Sequence, residues 1–227
     1  MKQPLGTILY SKNENTKAYP ASTTKILTAI LAIEKCNLDD KVTIKKSSIS
    51  SIPPGYTSCN LVEGEVLTVS DLLQATLVPS ANDAANALAE HISGSVENFT
   101  DLMNTKINEL GLKNTHFVNT NGIHNENHYT TAYDLALIAK YCMQNQTFRK
   151  YANIPTCTIN ATNKSNVRKL KNTNELINPS SKYYIEDCIG IKTGHTTEAG
   201  NCLISSFSKD NLELISVVLR WFIYKKW

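Results

Sequence analysis

Nowhere does the chain approach the ~20 consecutive apolar residues that a membrane-spanning helix requires. Nor does a signal peptide precede Met1, since "MKQPLGTILYSKN" runs straight into a short β-like segment. Taken literally this is a cytoplasmic beginning; the alternative is that the true N-terminus lies upstream. The six cysteines (positions 36, 59, 142, 157, 188 and 202) form no C-x-x-C, and no ligand-like spacing pairs one with a histidine. That pattern argues against a zinc site. An even number of cysteines does not establish disulfides, and a chain of this length needs none. His124 and His128 are four apart, but Gly122, Asn125 and Asn127 make their surroundings a loop rather than a helix presenting a metal pair. With a net charge of +3 and no basic run interleaved with aromatics, nucleic acid is excluded as a partner. There is no internal repeat and no low-complexity tract, and sequons such as Asn98-Phe99-Thr100 reflect an Asn-rich composition.

What remains is an ordinary globular composition, 41% hydrophobic and 19% charged over 227 residues. It is enough for a full core in one domain, or at most two. "GTILYSK" reads as a short strand, and an almost wholly apolar helix follows from about Ser22 to Lys35. Its Ile26, Leu27, Ile30, Leu31 and Ile33 leave little polar face, so it belongs inside the protein. Residues 37 to 66, with Pro53, Pro54, Gly55 and Gly64, read as loops and small strands. Thr68 and Asp71 form a capping box for a helix that Pro79 ends. "DAANALAEHI" is a second helix stopping near Gly94, and a third runs from about Val96 to Leu110 with Gly111 as its end. Thr131 and Asp134 cap a fourth, and a short helix follows Thr147. In the last third "IGIKTGHT" is β-like, while "NCLISSF" and "LELISVVL" flank "SKDN" as a hairpin.

Three motifs stand in order along these elements. Ser22-x-x-Lys25 opens the buried helix, where residues three apart share a face. Ser80-Ala81-Asn82 bridges two helices after Pro79, and Lys192-Thr193-Gly194 follows a β-like run. The first two strings recur, at Ser206-x-x-Lys209 and at Ser11-Lys12-Asn13 or Ser58-Cys59-Asn60, in contexts without such meaning; K-T-G occurs once. The weight lies in order and context together, the signature of penicillin-binding proteins and class A β-lactamases. A serine needs a neighbouring base to act as nucleophile. A lysine serves only if burial or a nearby cation lowers its pKa.

The likeness extends beyond the triplets. "YPASTTKILTAILAIE", "GEVLTVSDLLQATLVPSANDAANALAEHISGS", "MNTKINELGLKNTHFVNTNGIH", "HYTTAYDLALIAKY" and "IGIKTGHTTEAGNCLISS" resemble the D-alanyl-D-alanine carboxypeptidases from about Gly6 to Leu219. The resemblance implies an α/β fold of the β-lactamase/penicillin-binding transpeptidase type, an antiparallel sheet of N- and C-terminal strands with a central helical region. Residues 1–227 would be a single catalytic domain, helical over about 67–150 and sheet over about 6–20 and 186–220. It also implies a serine acyl-transfer enzyme of the cell envelope, outside the cytoplasm, that removes the terminal D-alanine from peptidoglycan stem peptides and is acylated by β-lactams. No cofactor or metal is called for, and membrane anchoring would depend on segments absent from this sequence.

Carried over residue by residue, Ser22 is the nucleophile, Lys25 its base and Ser80 a proton relay. Asn82 holds Lys25 and the substrate amide. Lys192 and Thr193 face the terminal carboxylate, and Gly194 lets the peptide lie along the strand edge. The backbone N–H groups of Ser22 and His195 form the oxyanion hole. One departure is Ile189-Gly190 where the family has Asp-Gly, with Asp187 displaced. Two rivals are a non-catalytic binder of wall peptides and a β-lactamase, whose E-x-x-L-N has only a near miss in Glu109-Leu110-Gly111-Leu112-Lys113. Against the family the chain also reads as truncated. A full strand is expected before "GTILYSKN", and "RWFIYKKW" stands where a glycine, an arginine and a closing helix are expected, leaving Trp221, Phe222, Ile223, Tyr224 and Trp227 without an obvious partner. Weak activity or poor folding is the resulting expectation, unless the aromatic tail covers the sheet itself.

Overall fold

The computed structural model describes residues 6–221. A single 3-10 turn, Ala21–Thr24, leads into α1 (Lys25–Lys35), whose residues from Lys25 to Ala32 are all buried. The apolar sequence of α1 has a plain cause, for α3 (Val69–Leu77), α4 (Asn82–Ser93), α5 (Val96–Glu109), α6 (Ala132–Met143) and α7 (Gln146–Ala152) all pack against it. Residues 25–32, surrounded in this way, have no face left for exposed charge, which returns only at Glu34 and Lys35. One continuous core joins it to Phe99, Phe117, Phe148 and Ile191.

The local signals act as expected at the helix ends. Thr68 Oγ1 accepts from the Asp71 N–H while the Asp71 carboxylate accepts from the Thr68 N–H, closing the capping box. Ser95, Thr131 and Asn145 cap α5, α6 and α7 through one side-chain oxygen each, which accepts from the backbone N–H three residues on. The sheet is antiparallel in the order β5 (Cys188–Thr196), β6 (Gly200–Lys209), β7 (Leu212–Trp221). Asp210 and Asn211, both at positive φ, form the two-residue turn of the β6–β7 hairpin. α6 lies against β7 and α7 against β5, while the Ala21–Thr24 turn packs on β5 and β6. That last contact carries the K-T-G strand to the start of α1.

Several expectations are corrected. "GTILYSK" is not a strand: residues 6–10 are irregular, and Ile8, Leu9 and Tyr10 are 53%, 74% and 80% exposed. Apolar residues make a strand only where a partner edge takes up their backbone groups, and among the described residues this sheet is built from 188–221 alone. The N-terminal segment first touches a strand-like partner at Ala18, which bridges Thr130. Segment 37–66 holds a short helix, α2 (Lys46–Ser50), besides β1 (Lys41–Thr43), and β1 pairs with β2 (Val66–Thr68). A second hairpin, β3 (Thr156–Ile159) with β4 (Arg168–Lys171), had no clear sequence signal. The Ile189-Gly190 departure coincides with a register shift between Cys188 and Ile191, after which K-T-G pairs regularly, Lys192 opposite Ile204 and Gly194 opposite Cys202. The expectations for Phe222 to Trp227 and for Met1 to Leu5 lie outside the described residues.

Candidate active site

Lys25 is fully buried, and its Nζ donates to three oxygens: Ser22 Oγ at 2.9 Å, Asn82 Oδ1 at 2.7 Å and the Asn121 carbonyl at 2.8 Å. Ser22 is reached because the 3-10 turn places residue 22 directly above residue 25. Asn82 is reached because it opens α4, where its N–H and its Nδ2 both donate to the Thr57 carbonyl, at 2.9 and 3.0 Å. The segment carrying Thr57 is fixed in turn by Asp83, whose carboxylate accepts from Ser58 Oγ, the Cys59 N–H and the Leu61 N–H. Burial, and secondly the charge of Lys192, hold the Lys25 pKa well below its usual value, with Asp83 pulling the other way. Lys192 is 1% exposed, and burial lowers its pKa to about 7.

Ser80 sits at φ +72°, a strained setting for a residue with a Cβ, and its buried Oγ has no hydrogen-bond partner among the described residues. A buried orphan hydroxyl costs stability, and this one faces a cavity of about 520 Å³ lined in part by Ser22, Ser80, Thr193, Gly194 and His195. Lys25, Asn82 and Lys192 lie buried behind that lining. A Cβ on Gly194 would stand 3.0 Å from the Ser22 backbone nitrogen and from the Pro20 carbonyl oxygen, so the strand and the turn touch through main chain. The eight residues expected from sequence therefore converge: Ser22, Lys25 and Asn82 by direct hydrogen bonds, and Ser80, Thr193, Gly194 and His195 as neighbours along one cavity wall. Lys192 adds its charge from behind.

Other groups were not foreseen. The Asn121 and Thr57 contributions are carbonyl oxygens, which any residue type provides, so no sequence signal marks them. His128, set aside as a loop residue, is buried between Thr24 Oγ1 (2.8 Å from Nε2) and the Val118 N–H, which donates to Nδ1 at 3.0 Å. Burial first, then the neighbouring His116, His124 and Lys25, push its pKa down to about 3, so it serves as a neutral support under the turn. Contrary to the linear spacing, one cysteine does meet a histidine: donor atoms of Cys36, Asp40 and His91 lie within 4.8 Å of one another. Cys36 caps the opposite end of α1, ~17 Å from Lys25 at the helical rise per residue, and none of the three lines the cavity.

Comparison with known proteins bears on this arrangement. The family model for D-alanyl-D-alanine carboxypeptidase, peptidase family S11, matches residues 1–222, and the chain belongs to this family. It is 40% identical to D-alanyl-D-alanine carboxypeptidase DacF of Bacillus subtilis over 226 residues, which are 96% of this chain and 55% of that protein. It is 38% identical to the D-alanyl-D-alanine carboxypeptidase of Streptomyces sp. strain K15, covering 96% of this chain and 78% of the relative. The crystal structure of the Streptomyces K15 DD-transpeptidase superposes with a TM-score of 0.86 at 36% identity, over 94% of this chain and 85% of that one. The expected α/β penicillin-binding fold is thus the observed one. The chain spans about half the length of the Bacillus relative.

Proposed function

We propose that residues 1–227 form a single catalytic domain that removes the terminal D-alanine from peptidoglycan stem peptides through an acyl-enzyme on Ser22, and that β-lactams acylate the same oxygen. The observation that carries this reading is the set of acceptors around Lys25. As a neutral amine Lys25 has two N–H bonds and one lone pair. Asn82 Oδ1 and the Asn121 carbonyl can only accept, so they take the two hydrogens. The lone pair is left facing Ser22 Oγ, whose hydrogen then points at the amine.

Ser22 Oγ attacks the carbonyl carbon of the penultimate D-alanine as its proton passes to Lys25 Nζ. The tetrahedral oxygen is held by the backbone N–H groups of Ser22 and His195, each such donor being worth ~10²–10³ in rate. The C–N bond breaks as the Ser80 hydroxyl passes a proton to the departing nitrogen and takes up in its place the one Lys25 had accepted, so that D-alanine leaves and Lys25 is neutral again. Water then cleaves the ester and restores Ser22. Lys192 and Thr193 hold the terminal carboxylate, and Gly194 lets the peptide approach the edge of β5. The substrate places the protein's work at the cell envelope, outside the cytoplasm; no helix among the described residues is long and apolar enough to cross a membrane.

The β-lactamase reading loses its water-activating carboxylate, because Glu109 is exposed at the end of α5 and pairs with Lys106 rather than lining the cavity. Incubation with a fluorescent penicillin, followed by denaturing electrophoresis and an assay for released D-alanine, tests the proposal. Labelling with D-alanine release supports the carboxypeptidase. Stoichiometric labelling without release from any stem peptide supports the non-catalytic binder instead.

A further inference from the structure

Lys192 is buried without an anion. Its Nζ donates to the Thr193 carbonyl at 3.2 Å and reaches Thr173 Oγ1 at 3.5 Å, and no carboxylate among the described residues pairs with it. Thr173 belongs to none of the three motifs; it lies just after β4, yet its hydroxyl is 2.5 Å from that of Thr193. Its backbone is firmly held. The Thr173 N–H donates to the Val78 carbonyl at the end of α3 (3.1 Å), and Asn172 binds the Pro155 carbonyl through its N–H (2.9 Å) and the Ile154 carbonyl through Nδ2 (2.8 Å). Asn172 Oδ1 then accepts from the Asn174 N–H at 2.8 Å. Thr173 is therefore fixed between the S-x-N segment and the K-T-G strand, and both threonines line the cavity. Two hydroxyls in contact use one hydrogen between them, which leaves the other free to point into the cavity beside the lysine.

We propose that Thr173 is a third ligand of the substrate's terminal carboxylate, completing with Lys192 and Thr193 a cradle of one ammonium and two hydroxyls. The assignment rests on the acyl-transfer reading above and specifies how that site selects a free C-terminus. A site built to hydrogen-bond a charged group discriminates strongly against an analogue that lacks it.

The test compares kcat/KM for an acyl-L-Lys-D-Ala-D-Ala peptide with that for the same peptide ending in D-alaninamide. Wild-type protein is expected to prefer the acid. Thr173→Val is expected to lose about tenfold or more of that preference, mainly through KM for the acid peptide, because a hydrogen bond to a charged group is removed, while the amide peptide is affected far less. Thr173→Ser is expected to keep most of the preference. Unchanged preference in Thr173→Val, or an equal loss on both peptides, overturns the assignment. If Thr173→Val does not melt cooperatively, Thr173→Ala is read by the same criteria. A wild-type protein that cleaves neither peptide overturns the acyl-transfer reading and this one with it, a result distinct from cleavage with unchanged preference.

Discussion

Lys25 Nζ donates to the main-chain carbonyl of Asn121 at 2.8 Å, across 96 residues of sequence. The contact depends on how closely the Asn121–Gly122 backbone approaches the turn before α1. Gly122 has φ +83°, and a Cβ there would stand 1.8 Å from the Ala21 carbonyl oxygen. No rotamer relieves a clash between a Cβ and main chain, so one backbone must move.

Gly122→Ala is therefore expected to displace the Asn121 carbonyl, leaving Lys25 short of one acceptor. Penicillin acylation is expected to fall by about tenfold or more, with destabilisation of about 2 kcal/mol or more, since both a strained φ and a steric overlap are introduced. Stopped-flow acylation and thermal melting measure the two effects. Wild-type rates in a Gly122→Ala protein would show that Asn121 does not support Lys25.

Penicillin is expected to add its whole mass to the peptide containing Ser22, and Ser22→Ala to abolish labelling. Among the described residues only Ser22 hydrogen-bonds a buried lysine, whereas Ser206 lies buried within β6. Peptide mapping by mass spectrometry decides this, and an adduct on Ser80 or Ser206 would refute the assignment.

Lys25→Arg is expected to abolish acylation nearly completely, since a guanidinium stays protonated above pH ~12. In the wild type, kcat/KM is expected to be bell-shaped. It rises as Lys25, whose pKa is well below that of a free lysine, loses its proton, and falls as Lys192 loses its own near about 7. The two charges interact, so the limbs belong to the pair. An activity that climbs without a maximum up to pH 10 would contradict the role of a charged Lys192.

Stability carries a matching signature. Between the lowered folded-state pKa of Lys192, about 7, and the usual 10.5 for lysine, the unfolded chain binds more protons than the folded one, and Lys25 contributes in the same sense. Stability from these groups therefore rises with pH in that range. Buried Cys142 and Cys59, with raised pKa values, oppose the trend above about pH 9, the ordinary thiol range. His128, held down to about 3, is neutral in the fold, so stability declines as pH drops below its ordinary 6.5. Melting temperatures are expected to increase from pH 5 to 8.5, and more steeply than in a Lys192→Met variant above pH 7.

Ser80→Ala is expected to separate stability from activity. The hydroxyl is buried and unpartnered, so removing it costs no hydrogen bond and is expected to leave the melting temperature unchanged or slightly higher. Release of D-alanine is expected to fall by about 10²-fold or more, the usual scale for a lost proton-transfer group. A drop in melting temperature with undiminished activity would reverse this account.

The helices, their caps and the late hairpin were legible because their causes are local. Thr68 and Asp71, or Asp210 and Asn211, determine a start or a turn through bonds to near neighbours. The N-terminal strand misled for the complementary reason, since "GTILYSK" has the residues of a strand but pairs with no strand edge, and pairing is never local. Within the site, Ser22 with Lys25 was legible because one turn of helix joins them, and the other motifs could be placed by order and context. Their convergence could not be read that way. The burial and the lowered pKa that the proposed base role of Lys25 requires come from Asn82, Asn121 and Lys192, groups that lie 57 to 167 positions away. Thr173 and Asp83 act on the site from outside the motifs. A motif states which chemical groups a chain owns. Distance, desolvation and the direction of a lone pair exist only once separate elements have packed, because those are properties of the space between residues and not of the residues themselves.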